Sequence, residues 1–334
     1  MEAARDSNSG FMEKNPKSVN ISVILCTFNR CESLRRALET VVASAVDHAM
    51  TWEVLVVDNN SDDKTRNVVD ELSLRYPDRL RYVFEPCPGK SYALNSGVRE
   101  AQGDILAFVD DDVTVTATWL ENLTRPLKES SWAGSGGRIL PEPGFIPPPW
   151  LALDGPDNMG GILALFDLGD QSGPLDQPPF GTNMAFRRSV FNQYGDFRTD
   201  LGPRPGSEIR NEDTEFGRRI MAAGERLWYE PSAVVYHAVP QNRLNKKYFQ
   251  KFWFDQGRAA VRELGKRPDI LGIPRDYLTT LKMAMLLAGN TVRWAVTVNS
   301  RRRFYRKFWV WMTAGKVTEF FRQSLSARSQ VEPR

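Results

Sequence analysis

The chain has 334 residues, 41% hydrophobic and 11% aromatic, which allows one large domain or a domain with an appendage. Its formal net charge of only +3 excludes the global positive field of a nucleic-acid binder, so no nucleic-acid partner is expected. Cys26, Cys31 and Cys87 are odd in number and form no CxxC pair; they read as reduced thiols of a cytosolic protein. The first twenty residues are polar and lack the apolar run of an export signal, so residues 1–18 are expected to be a flexible tail.

From Ile21 the pattern becomes regular. ISVILCTF predicts a buried strand and CESLRRALETVVAS a helix. WEVLVVDNNSDD then gives a strand ending on an acid, KTRNVVDELSLRY a helix, RLRYVFEP a strand, and GKSYALNSGVREAQG a helix closed by Gly103. DILAFV runs into Asp110-Asp111-Asp112. This alternation predicts an α/β fold with a parallel sheet and crossover helices, in which ligands bind beyond the carboxyl ends of the strands. Thr27-Phe28-Asn29, Asp58-Asn59-Asn60 and the acid triplet all fall at such ends and should share one rim.

Residues 141–181 are dense in proline and glycine (PEPGFIPPPW, QSGPLDQPPFG) and predict a long loop or lid. Order returns with FGTNMAFRRSVFNQYG, strand then helix. TEFGRRIMAAG, after Asn211-Glu212-Asp213, is a helix, and LWYEPSAVVYH a strand ending on His237. From about Lys246 the chain is helical, aromatic and basic. Its most apolar window, KMAMLLAGNTVRWAVTVN, contains Lys282 and Arg293, which argues against a membrane span. RRRFYRKFWVW mixes cations with aromatics, as in a helix lying on an anionic membrane surface; packing against the preceding domain is the competing reading.

Three adjacent carboxylates repel one another, and a hard divalent cation such as Mn²⁺ or Mg²⁺ relieves that repulsion. The alternative, a turn acid plus a helix cap, uses the same residue type. Gly89-Lys90-Ser91 is not a P-loop, because Phe84 stands where the first glycine is required. Lys90 is still placed to reach a phosphate from its helix start. Asp213 is either a helix cap or a general base. A lone histidine is more often structural than a ligand, which is the reading given to His48; His237 differs in returning to the sheet's functional edge.

SVILCTFNR, EVLVVDNNSDD, GKSYALNSGVREAQGDILAFVDDD, GTNMAFRR, NEDTEFGRR and PSAVVYH stand in the order and spacing of the family 2 glycosyltransferases, and the chain resembles that family from about Val19 to Gly257. The resemblance implies a GT-A fold: a Rossmann-like, mostly parallel sheet flanked by helices. It implies a nucleotide-half over residues 19–115 and an acceptor half over 116–257, followed by a helical extension over 258–334. It further implies a nucleoside-diphosphate sugar donor, a glycan or lipid-linked acceptor, a divalent metal (Mn²⁺ or Mg²⁺), and inversion at the anomeric carbon. On that basis Asp110 and Asp112 of the DxD position, with His237, hold the metal, and Asp213 is the catalytic base. Thr27, Phe28, Asp58, Asn59, Lys90, Asp110 and Asp111 line the donor site, with Phe28 stacking on the base and Asn59 facing its edge, and the lid over 141–181 helps form the acceptor site with Trp150 as a sugar-stacking candidate. Many relatives work at the inner face of the membrane, which implies a cytoplasmic protein peripheral to that face. Two other classes compete: a sugar nucleotidyltransferase, disfavoured because CTFNRCES lacks a glycine-rich loop, and a non-catalytic nucleotide-sugar or glycan-binding module.

Overall fold

The computed structural model describes residues 20–205, 209–264 and 275–329; the tail expected over 1–18 lies outside the described residues. The first half follows the alternation of the sequence: β1 (Ile21–Thr27), α1 (Cys31–Val42), β2 (Trp52–Asp58), α2 (Thr65–Arg75), β3 (Leu80–Phe84), α3 (Lys90–Glu100) and β4 (Ile105–Asp110). These strands pair in parallel in the order β3-β2-β1-β4. Every residue of β2 is buried, as expected for a strand covered by helices on both faces.

The second half departs from a simple parallel repeat. It comprises β5 (Val113–Val115), α4 (Trp119–Glu129), β6 (Gly134–Pro141), β7 (Gly173–Pro174), β8 (Asn183–Arg187), α5 (Arg188–Tyr194), α6 (Glu212–Ala222) and β9 (Leu227–His237). The sheet continues β4-β8-β6-β9-β5, with β7 also on β9. Here β8 runs antiparallel to β4 and β6, while β9 is parallel to β6. Asp111-Asp112 is far too short for a crossover, so β5 leaves β4 and pairs with β9 instead. Asn183, fully buried, ties this half together. Its amide donates to the carbonyls of Arg138 (3.0 Å) and Ala233 (2.8 Å) and its oxygen accepts from the Trp119 indole (2.8 Å).

The middle of the proline-rich segment is packed. Leu151, Met159, Ile162 and Leu163 are buried with Phe249 and Trp253 of α7 (Lys246–Glu263). Trp150 presents its ring edge-on to Phe249 at 5.0 Å and to Phe304 at 5.2 Å. Its place as a sugar-stacking residue is therefore corrected to that of a packing residue: three large aromatics exclude more water together than any one would at a rim. Two further helices follow, α8 (Arg275–Ala295) and α9 (Ser300–Ser329). At the crossing of α7 and α9 the backbones touch: a Cβ at Gly257 would lie 2.0 Å from the Met312 carbonyl oxygen, and one at Gly315 2.0 Å from that of Phe254. The domain boundary expected at 257/258 falls inside α7, at this crossing. Among the described residues no helix is long and apolar enough to cross a membrane.

Candidate active site

Strand register builds the rim. Thr27 pairs with Asp58 and Cys26 with Asp110, so β1, β2 and β4 end together. Val109 pairs with Asn183, which sets Thr182 beside Asp110, and Val113 pairs with His237, which brings the end of β9 to the acid triplet.

The three carboxylates meet cations of the chain itself. Lys90 Nζ lies 2.7 Å from Asp110 Oδ1, and the Thr182 hydroxyl donates to Asp110 Oδ2 at 2.7 Å. Arg30 Nη1 lies 2.9 Å from both Asp111 Oδ1 and Asp112 Oδ2, and the Thr27 hydroxyl donates to Asp111 Oδ2 at 2.7 Å. His237 Nε2 stands 3.5 Å from Asp112 Oδ1. Burial works to raise all three carboxyls, and what opposes it differs at each. At Asp110, Lys90 and Thr182 win and hold it low; at Asp112, His237 and Arg30 do the same. At Asp111 burial prevails over Arg30 and pushes the group up to about 6. Lys90, which burial would lower, is raised by Asp110 and Glu212.

The metal set expected from Asp110, Asp112 and His237 is brought together only in part. Asp112 and His237 face each other, whereas Asp110 is turned to Lys90 and Thr182, and among the described residues no three His, Cys, Asp or Glu side chains group to hold a metal. A carboxylate oxygen beside an imidazole nitrogen is a donor set that a divalent cation accepts, with diphosphate or water completing the shell.

Asp213 reaches the same rim from the first turn of α6. It is not the helix cap: Asn211, in the left-handed conformation (φ 82°), holds that position without a side-chain cap bond. Asp213 Oδ2 accepts from the Gly181 N–H at 2.6 Å and Oδ1 from the Thr214 N–H at 2.6 Å. One dipeptide, Gly181-Thr182, thus holds Asp213 with one residue and Asp110 with the next.

Glu212, beside it, is buried with Oε1 3.9 Å from Lys90 Nζ and, among the described residues, no hydrogen-bond partner for Oε2. Burial, then the charge of Asp213, raises its carboxyl from 4.5 to about 7. A carboxyl raised by folding binds its proton more tightly in the native state. Its stabilisation is complete below pH 4.5 and lost as pH rises through about 7. Glu212→Gln keeps the neutral shape, so its thermal midpoint relative to the wild type should gain more at about pH 8 than at about pH 5. Equal differences at both pH values would remove the shift.

On the donor side, Phe28 is 44% exposed and its ring is open to a ligand. Asp58 is buried and accepts from the Tyr82 hydroxyl (2.8 Å) and the Ser61 N–H (2.9 Å). Asn59 differs from its expected place at the base edge. Its amide donates to the carbonyls of Glu85 (3.2 Å) and Cys87 (2.7 Å) and accepts from the Gly89 N–H (2.7 Å). It shapes the wall of the cleft and the approach to Lys90. Sequence reasoning missed Arg30, Thr182 and Glu212 as parts of the site; the signal for Arg30 was a cation three residues past the first strand, opposite an acid triplet.

A parallel half continued without a break into a mixed half, with acids at the shared rim, is the GT-A architecture. The sequence model of Glycosyl transferase family 2 matches residues 22–195, more than half of the chain, and the chain belongs to that family. It is 28% identical over 252 residues to the succinoglycan biosynthesis protein ExoM of Rhizobium meliloti, covering 75% of this chain and 77% of that protein. It is 27% identical over 251 residues to a glucosyl-dolichyl phosphate glucuronosyltransferase of Haloferax volcanii, covering 70% and 75%. In fold it resembles a mannosyltransferase of Pyrobaculum calidifontis solved in complex with GDP-Man and Mn²⁺, with a TM-score of 0.60 and 18% identity over 93% of this chain and 92% of that one. Membership sets aside the sugar nucleotidyltransferase reading.

Proposed function

We propose that the protein moves a glycosyl unit from a nucleoside-diphosphate sugar to a hydroxyl of a glycan or lipid-linked acceptor, with inversion, in polysaccharide or glycoconjugate synthesis. The observation that carries this reading is the Gly181-Thr182 bridge, which couples Asp213 to the acid rim through two short hydrogen bonds. Asp213 takes the acceptor proton as the hydroxyl attacks the anomeric carbon from the face opposite the diphosphate. Lys90 and Arg30 present charge toward the phosphates, Lys90 from a half-buried place at the rim and Arg30 from its exposed side. Phe28 covers the base, and Thr27, Asp58, Asn59, Asp110 and Asp111 shape the donor pocket, within a nucleotide half over 19–115 and an acceptor half over 116–257.

Asp112 and His237 are the residues that would hold a divalent metal, as the Mn²⁺ of the Pyrobaculum neighbour suggests. Such an ion supplies Lewis-acid neutralisation of the charge growing on the leaving diphosphate. The dolichyl phosphate in the name of the Haloferax relative supports a lipid-linked acceptor, and the succinoglycan of the Rhizobium relative supports polysaccharide synthesis.

Incubation of the purified protein with uridine, thymidine and guanosine diphosphate sugars should release nucleoside diphosphate from at least one donor. Binding of a donor without release from any, across a panel of acceptors, would favour the glycan-binding module instead.

A further inference from the structure

We propose that the groove between α8 and α9 is a binding site for the phosphate headgroup of anionic phospholipids and seats the protein on a bilayer. The site uses none of the residues of the catalytic rim and goes beyond the transfer chemistry above.

The first observation is an inverted helix. A surface helix ordinarily turns its polar face to water. On α8, Leu278, Leu281, Met285, Leu286 and Val292, with Val296 just past its end, are between 40% and 68% exposed. They recur at intervals of a few residues along the helix, so they make a continuous apolar row and not scattered single residues, and such rows mark interaction surfaces. The second observation is a cavity of about 790 Å³ where α8 meets α9. Leu286 and Trp309 line one part of it, and Arg293, Arg302, Arg306 and Lys316 another, with Asp157 as the one acid. Among the described residues none of these four cations is in an ion pair, although Arg306 donates to the Arg293 carbonyl (3.1 Å) and Thr297 Oγ1 (2.7 Å) and is held in place by them.

The third observation is charge segregation. Residues 275–329 contain eleven Lys or Arg against two Asp or Glu, in a chain whose total is +3, so the remainder is negative. A basic, apolar face on an otherwise acidic molecule orients it toward an anionic surface. An apolar row beside unpaired cations matches a lipid, with its chains against α8 and its phosphate in the groove. A second copy of the chain fits less well, because its own cations would be brought against these. The exposed indoles of Trp309 and Trp311 suit the headgroup layer, whereas Phe304 is buried with Phe249 and Trp253. This divides the basic aromatic run expected from the sequence to lie on the membrane. Deleting α9 would therefore damage the core and cannot test the site.

The test is sedimentation of the full-length protein with vesicles of phosphatidylcholine, alone or mixed with phosphatidylglycerol. Binding is expected to the mixed vesicles only and to weaken with salt. Arg293→Gln/Arg302→Gln/Lys316→Gln should lose roughly a hundredfold in binding, at about fivefold per cation. Leu281→Ser/Met285→Ser should weaken it as well, and inorganic phosphate should not compete. If the triple variant has a lowered thermal midpoint, the exposed single change Arg302→Glu replaces it. Indifference to mixed vesicles at low salt, or unchanged binding by the charge variant, would overturn the proposal. So would competition by phosphate alone, which assigns the groove to a free anion. A dimer broken by Leu281→Ser in a protein that ignores vesicles would assign the face to a second copy.

Discussion

Asp213→Asn should lower turnover about 10²–10⁴-fold while leaving donor affinity nearly unchanged, the loss expected when a positioned proton acceptor is removed. The substitution is close to isosteric, and its structural cost is set chiefly by the two backbone donors, since the Thr214 hydroxyl, 3.2 Å from Oδ1, can reorient. Asp213 Oδ2 accepts from Gly181 N–H and Oδ1 from Thr214 N–H, so an amide retains one acceptor and turns its NH₂ toward the other donor. The loss is about 1 kcal/mol, the net worth of one hydrogen bond, and the thermal midpoint should fall by roughly 2–4 °C. Stability and rate therefore separate. A variant with the lowered midpoint and near-normal turnover would leave Asp213 only its place in the first turn of α6.

The second large effect is expected at Asp112. Its removal leaves Arg30 with Asp111 at 2.9 Å, so that guanidinium keeps a partner, while the buried His237 loses the carboxylate 3.5 Å from its Nε2. Asp112→Ala should lower transfer at least 10²-fold, the size of losing one group that stabilises charge in the transition state. If Asp112 and His237 hold a divalent ion, the chelator and the substitution remove the same interaction and their effects should not add. Donor affinity in the wild type should fall in chelator, and donor affinity of Asp112→Ala should hardly respond to it. Full wild-type transfer in chelator would exclude the ion from the mechanism, and equal chelator sensitivity in both proteins would place the ion away from Asp112. Asp110→Ala offers an internal contrast, because that carboxylate is engaged by Lys90 and Thr182 and not by His237.

What the sequence determined by itself was the local order of the first half and the position of its chemistry. Apolar runs of strand length, each set off by a helical period, define β1 to β4 without reference to any other part of the chain, and the polar clusters at the ends of β1, β2 and β4 must then share a rim. The blocks around Asp110, Asp213 and His237 likewise gave the family. The tertiary structure decided everything that depends on partners distant in sequence. The antiparallel return of β8 sets Thr182 opposite Asp110, and no local pattern announces that pairing. Proline and glycine density described the backbone of residues 141–181 but not the aromatics of α7 and α9 that pack its middle down. Nor does the period of α8 say which face meets α9: composition is a property of the helix, but burial belongs to the pair. The cations that meet the acid triplet were decided in the same way, since Arg30 and Lys90 lie about eighty and twenty residues upstream and only the register of the sheet brings them to it.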